Sequence, residues 1–421
     1  EGEMDGSSWE QALDVAGFRK LLSGSVDLSK STIYMSQGKY VMSEESGLGV
    51  IVRKNVKAIK GGYSQFSEGT DVSARDIDAY VTVISGDVNG NKQADAGDCG
   101  LLLVKKGHIA IEGVTFQYGY VSEADVSTTE CGSGIYVSGG VGDTSIELTD
   151  CVIRDCTSAV TTSAKQGGPA VFVLSGQVRL NKVNLLDNKA VGRGGAVRCS
   201  SKTAVVFMNG CLLKGNSHNG SWGNGIQMSE GHICINNTTL IDNMGTGAAL
   251  NGGGSILLTN NTIIGNASDT HGAVRCETGA GGDTKFINNL LISENPSAPS
   301  FNLNGSNFEA FSKGYNVYQR VTGITMSASD TAYPNPVNGT LNEKGVYVWD
   351  LNQIGSVKGY ATKQAVIEVA KSFNPVASPI ADLGEVFVEW IGEDAFGIDQ
   401  RGVTRNANKM QAGAYDAVLT N

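Results

Sequence analysis

Residues 178–188 read Val-Arg-Leu-Asn-Lys-Val-Asn-Leu-Leu-Asp-Asn. Counting back from Asn188, offsets −10, −8, −5 and −3 are Val178, Leu180, Val183 and Leu185. Offsets −10 and −8 repeat every second residue, the period of a strand with one buried face, and −5 and −3 make a second such strand. The pair between them, Asn181-Lys182, is turn chemistry: such residues accept positive φ or bond their own backbone.

The phrase recurs. Anchored on Asn216 it gives Val206, Met208, Cys211 and Leu213; on Asn243, Ile233, Ile235, Thr238 and Leu240; on Asn266, Ile256, Leu258, Asn261 and Ile263. On Asn295 it gives Lys285, Ile287, Leu290 and Ile292. Upstream, Cys156 anchors Ile146, Leu148, Cys151 and Ile153, and Gly119 anchors Ile109, Ile111, Val114 and Phe116. The anchors are 37, 32, 28, 27, 23 and 29 residues apart. A third short apolar segment follows each anchor, as in 134–137, 170–173, 196–199, 225–228, 248–251 and 273–276. Three strands per repeat of this length describe a coil of parallel strands, each turn stacked about 4.8 Å from the next. The anchor asparagines are then expected to stack as a ladder. The predicted fold is all-β: a single-stranded right-handed parallel β-helix.

The chain outside the repeat fits this picture. Residues 7–22 have a Ser cap and apolar residues at Trp9, Leu13, Ala16 and Leu21, which predicts a capping helix. Six of the seven prolines lie at 296 or beyond, and 363–374 reads as one helix. The expected organisation is an N-terminal cap at 1–30, a β-helix at 31–295 and a C-terminal cap at 296–421.

Composition narrows the function. Glycine is 56 of 421 residues, about twice the usual share, without the three-residue period of collagen. The net charge is −10, with no basic stripe, so nucleic acid is excluded as an expected partner. No run of about 18 apolar residues exists, so no membrane-spanning helix is expected. The chain starts at Glu1 without a signal-peptide pattern, which fits a mature, exported form expected to work as a monomer. The cysteines contain no CxxC, and Cys151 with Cys211, or Cys199 with Cys276, share offsets two and three coils apart. Those separations exceed disulfide reach, so buried free thiols are expected. Sequons at Asn219, Asn236, Asn237, Asn260, Asn266, Asn304 and Asn338 read mostly as turn asparagines.

The phrases "NNTTLIDN" (236–243) and "GGAVRC" (194–199) are similar to those of polymorphic outer-membrane and surface β-helix proteins. The segment "DQRGVTRNANKMQAGAY" (399–415) resembles the closing segment of exported bacterial β-helix proteins; "IYMSQGKY" (33–40) and "VISGDVNGN" (83–91) resemble their opening coil and early loop. The resemblance is to the pectin-lyase-like superfamily of right-handed parallel β-helices. It implies export to the extracellular space or outer cell surface. For activity it leaves lyases, hydrolases, isomerases and adhesins open. Related enzymes use acidic clusters on one sheet face, with Arg or Lys as base in the lyases; no signature of the polygalacturonase or pectate-lyase families aligns here.

Three candidate sites follow. With Ile135, Val171, Val197, Ile226, Ala249 and Val274 inward, Tyr136, Phe172, Arg198, Gln227, Leu250 and Arg275 form an outward stripe. Aromatic faces pack on sugar rings and guanidinium forks pair with uronate carboxylates. Tyr136, Phe172, Arg198, Gln227 and Arg275 are thus candidate ligand-binding residues, unless long loops cover that face. Before the anchors stand Asp155, Asp187 and Asp242, candidate catalytic carboxylates on neighbouring coils, with Arg154 or Arg193 as basic partner. In 87–98, Asp87, Asn89, Asn91, Asp95 and Asp98 approximate a Ca²⁺ loop, although Lys92 stands where Gly is wanted. The expectation is an exported protein that binds, and processes or merely holds, polysaccharide or a surface glycan. The alternatives are a non-catalytic adhesin or structural surface protein, and a lyase or hydrolase of acidic glycans.

Overall fold

A computed structural model describes residues 5–44, 47–125, 132–162, 166–220, 222–265, 271–277, 284–295, 297–304, 311–320, 327–333, 339–341, 347–349 and 358–414. The repeat folds as parallel ladders that run between coils. Sheet one contains Leu28–Ser36, Val56–Tyr63, the end of Leu102–Glu112, Thr144–Thr149, Gly176–Asn181, Ala204–Asn209, His232–Asn236, Ser255–Thr259 and Thr284–Ile287. Sheet two runs from Gly38–Val41 through Val152–Arg154 and Asn184–Leu186 to Thr331–Ala332. Sheet three carries Ile135–Val137, Val171–Val173 and Val197–Cys199, and ends at Phe301–Asn304. The ladders therefore extend past residue 295, the expected limit of the coil: Leu290 pairs with Val317, and Val317 with Thr331. Pro299 lies within a winding, in the connection from sheet two to sheet three, rather than at the end of the coil.

Register follows the counted offsets over most of the chain. Ile109, Ile146, Val178, Val206, Ile233 and Ile256 pair in succession. All are fully or nearly fully buried in one core that runs the length of the coil. Two positions differ. Leu258 pairs with Phe286 and Ile263 with Leu291, so in the last counted coil Phe286 and Leu291 face the core, not Ile287 and Ile292. In sheet three, Leu250 rather than Ala249 pairs with Ile226 and Val274, and Asn251 replaces Leu250 in the outward row. The first slip occurs where the outward Ile287, Leu290 and Ile292 are apolar too, which erases the alternation that fixes register; in the second, Ala249 and Leu250 are consecutive apolar residues and either could be counted inward.

A left-handed corner recurs at offset −6, and as far as Asp242 a second one recurs at offset −1. At offset −6, Asp150, Lys182, Asn237 and Asn260 have φ of 50°, 55°, 49° and 59°. At offset −1, Asp155, Asp187 and Asp242 have φ of 54°, 54° and 55°. Asn and Asp enter this region at lower cost than other side chains, which explains their enrichment there.

Asparagines stack inside the coil. Asn188 Nδ2 donates to Asn216 Oδ1 at 2.9 Å and Asn216 Nδ2 to Asn243 Oδ1 at 2.8 Å. The expected anchor ladder covers these three; Asn266 lies outside the described residues, and Asn295 Oδ1 instead accepts from the Ser297 N–H at 2.8 Å. A second ladder at the other corner takes over: Asn261 donates to Asn289 at 3.1 Å, and Asn289 to Asn316 at 3.0 Å.

The termini close the molecule differently from each other. Helix α1, Val15–Ser23, begins later than expected because Asp14 is its cap, accepting from the Gly17 N–H at 2.7 Å. Its Phe18 and Leu22 enter the core. The C-terminal segment doubles back along the sides of the coil. Helix α2, Lys363–Lys371, and helix α3, Leu383–Ile391, lie on the outer face of sheet one, over Val205, Phe207, Cys234, Leu257 and Ile287. One helix was expected here; the β-branched, mostly apolar Leu-Gly-Glu-Val-Phe-Val-Glu-Trp-Ile of α3 does not announce itself as helix. Beyond it, Arg405 donates to Asn237 Oδ1 at 2.7 Å and to the Gly413 carbonyl at 2.9 Å, while Asn288 Nδ2 reaches the Gln411 carbonyl at 2.9 Å. The closing segment thus reads the corner asparagines of the coil.

Candidate functional site

Tyr136, Phe172, Arg198 and Gln227 stand in one row on the outer side of sheet three. They are buried all the same: Tyr136 is 0% exposed, Phe172 1%, Arg198 7% and Gln227 1%. Tyr136 and Phe172 pack with Leu103, and their ring centroids are 5.8 Å apart. The Arg198 guanidinium lies 5.5 Å over the Phe172 ring and donates to the Gln166 carbonyl. Gln227 accepts from the Gly223 N–H at 2.7 Å and donates to the Met228 carbonyl at 3.1 Å. The loop at Gly168 lies so close that a Cβ there would meet Phe172 Cβ at 2.9 Å. These four side chains join the sheet to its covering loops and present no open sugar platform. Arg275, in the same row, is half-buried.

Asp155, Asp187 and Asp242 line up at the left-handed corner that follows sheet two. Asp187 and Asp242 are exposed, with Gly215 on the coil between them. Asp155 lies 3.6 Å from Arg154 Nε. Burial pushes its carboxyl above the ordinary value; Arg154 opposes this and the negative charge of Asp187 adds to it. Of the two proposed bases, Arg154 is therefore beside the acids, whereas Arg193 stacks 5.8 Å over Trp222.

In the 87–98 loop, the carboxylates bond the chain itself. Asp98 is fully buried and accepts from the N–H of Val88 at 2.9 Å and of Asp95 at 3.1 Å. Asp95 accepts from Asn89 Nδ2 at 3.0 Å and Asn91 Nδ2 at 2.7 Å. Asp87 pairs with Lys39 at 2.9 Å. Burial alone would raise the Asp87 carboxyl, but Lys39 and the N–H groups of Lys92 and Gly90 outweigh it and hold it low. Among the described residues, no group of three or more His, Cys, Asp or Glu is placed to hold a metal ion. Asp95 and Asp98 are thus engaged by amides and N–H groups of the loop itself, and a Ca²⁺ ion bound here would have to displace the Asn89 and Asn91 amides from Asp95.

One face remains open. On sheet one, the outward residues up to strand Gly176–Asn181 are polar apart from the aromatic Tyr34 and the small Ala58 and Ala110, and the C-terminal helices reach them only through Trp390, at Glu147 and Arg179. Tyr34 pairs with Lys60, Lys60 with Glu112, Glu112 with Thr149 and Thr149 with Asn181, giving a row with one residue per coil. Four steps at the strand spacing make it about 19 Å long. Glu112 sits between Lys60, at 3.1 Å, and Arg75. Burial would raise the Glu112 carboxyl, but the two cations prevail and keep it below the ordinary range. Beside this row, His108 Nδ1 is 2.8 Å from Ser145 Oγ, and Glu147 faces Arg179 at 4.0 Å. Trp390 of α3 forms the far wall: its Nε1 donates to Glu147 Oε1 at 3.2 Å, and the Arg179 guanidinium lies 5.9 Å over its ring. At the near end stand Trp9, Tyr34 and Tyr63, with Tyr34–Tyr63 centroids 5.4 Å apart.

The signal for this face was present at offset −9, which reads Ala110, Glu147, Arg179, Phe207, Cys234 and Leu257. The change from charged to apolar marks where open surface ends and cover begins.

Parallel sheets closed around a single apolar core, with one strand per sheet in each winding, define a parallel β-helix. The chain belongs to the family described as right-handed β-helix region, whose model matches residues 78–291. No curated protein and no solved structure matches the chain. No helix among the described residues is long and apolar enough to cross a membrane.

Proposed function

We propose that this chain is an exported or cell-surface β-helix protein that binds polysaccharide along the open face of sheet one. The observation that carries this reading is the uncovered polar strip from Tyr34 to Asn181, with aromatic side chains at both ends. Its hydroxyl, amide and charged groups, held at coil spacing by a rigid core, match the donors and acceptors of a glycan. Export is supported by the likeness of residues 399–415 to the closing segment of exported β-helix proteins. A glycan array with a panel of uronate polymers, in the presence and absence of Ca²⁺, tests the reading. Lys60→Ala and Arg179→Ala should each weaken the bound glycan about tenfold, as expected for a hydrogen bond to a charged group. No binding by the unaltered chain, or unchanged affinity in both variants, would refute it.

A second reading, a lyase or hydrolase of acidic glycans, draws on one observation: the raised carboxyl of Asp155 beside Asp187 and Arg154. Perturbed groups of this kind serve acid–base chemistry. It requires new reducing or unsaturated ends from a uronate polymer, abolished by Asp155→Asn. A polymer that is bound but never shortened leaves the non-catalytic reading.

A further inference from the structure

We propose a terminal sugar-binding subsite in the groove between the N-terminal segment and the first strand of sheet one, at the Tyr34 end of the open face; it rests on the polysaccharide reading. The groove has a volume of about 470 Å³ and is lined by Trp9, Phe18, Tyr34 and Tyr40, with Ser31 and Thr32 among its polar groups. Aromatic faces beside hydroxyls suit a pyranose, which offers C–H faces above and below and hydroxyls around its rim.

The aromatic side chains are fixed before any ligand arrives. Trp9 Nε1 donates to the Asp71 carbonyl at 2.8 Å, and the Trp9 ring packs on Tyr63 at 5.6 Å. Tyr40 packs on Phe18 at 6.2 Å, and its hydroxyl bonds the Ser36 carbonyl at 3.1 Å. Such preorganisation lowers the ordering cost of binding. Tyr34 is 40% exposed, so its ring is available. It is also the first member of the row that continues through Lys60, Glu112 and Thr149. A chain lying on that row ends in the groove. The occupant is therefore the terminal pyranose of the same polysaccharide, and the groove sets which end of the glycan is read.

The test measures affinity for hexagalacturonate, cellohexaose and maltohexaose by calorimetry, and maps contacts by saturation-transfer NMR. Binding of at least one hexasaccharide is expected, with saturation reaching its terminal ring. Trp9→Ala and Tyr34→Ala should each lower that affinity about five- to tenfold, the scale of an aromatic contact. Tyr34→Phe, which keeps the ring, should bind as the unaltered chain does. Circular dichroism melts identify any variant that has lost its cap, and the exposed Tyr34 supplies the variant least able to do so. Unchanged affinity in Tyr34→Ala, with loss in Lys60→Ala, overturns the subsite and leaves the open face standing. Failure of the unaltered chain to bind any of the three hexasaccharides overturns both.

Discussion

Replacing Asn216 by Ala should destabilise the coil by about 2–4 kcal/mol. Asn216 is fully buried. Its Nδ2 donates to the Leu185 carbonyl at 2.9 Å and to Asn243 Oδ1 at 2.8 Å; its Oδ1 accepts from Asn188 N–H at 3.0 Å and Asn188 Nδ2 at 2.9 Å. Alanine removes all four contacts and puts nothing in their place. Asn188 Nδ2 still reaches the Ile153 carbonyl at 3.0 Å, and Asn243 Oδ1 still accepts from the Asn216 N–H at 3.2 Å. The cost falls mainly on the Asn188 N–H, about 1–3 kcal/mol when buried without a partner, whereas the Leu185 carbonyl keeps the Lys214 N–H of the parallel ladder and loses only a second bond, about 0.5–1.5 kcal/mol. Urea unfolding followed by far-ultraviolet circular dichroism measures the loss, with Lys189→Ala as the exposed control on a neighbouring coil. Because stacked coils interact with their nearest neighbours, the variant should also broaden the transition by uncoupling the windings before Asn216 from those after it. A loss below about 1 kcal/mol would refute the claim that the amide ladder binds coil to coil.

Two further outcomes are expected. The raised Asp155 carboxyl means that the folded chain holds that proton more tightly than the unfolded chain does, so stability gains as pH falls through the folded value toward the unfolded value of about 3.9. Carboxyl NMR should place the Asp155 midpoint above that value, and Asp187→Asn should move it down by removing a like charge; no movement would show the two acids to be uncoupled. Cys151, Cys156, Cys199 and Cys211 are buried thiols pushed up to about 12 by desolvation. They should resist alkylation in the native chain at pH 8 and label fully in urea, as read by mass spectrometry; rapid native labelling of any of them would contradict their burial.

The coil was legible wherever one face of each strand is polar. Ile146, Leu148 and Ile153 alternate with Glu147, Thr149 and Arg154, and the counted register holds there. It slips where Ile287, Leu290 and Ile292 are apolar because the C-terminal segment covers them. Lys285, the polar residue that the count placed in the core, was the trace of that slip; its Nζ bonds Ser372 instead. The candidate site was less legible. Local spacing correctly set Tyr136, Phe172 and Arg198 in one row, but their cover comes from loops whose path no period encodes. The open face was hidden for the converse reason. It is defined by where α3 stops, near Trp390, over two hundred residues away in sequence from Glu147.

The doubled-back C-terminus also orders events in time. Windings as far as Asn181 have a nearly finished exterior as soon as they form, since among the described residues of α2 and α3 only Trp390 reaches back to them, at Glu147 and Arg179. Those carrying Val205, Phe207, Cys234 and Leu257 must wait with greasy flanks bare until helices α2 and α3 emerge. A chain made or threaded across a barrier from its N-terminus would consequently mature from front to back. Its rear half would stay sticky, and in need of a chaperone or a partner, until helices α2 and α3 are delivered.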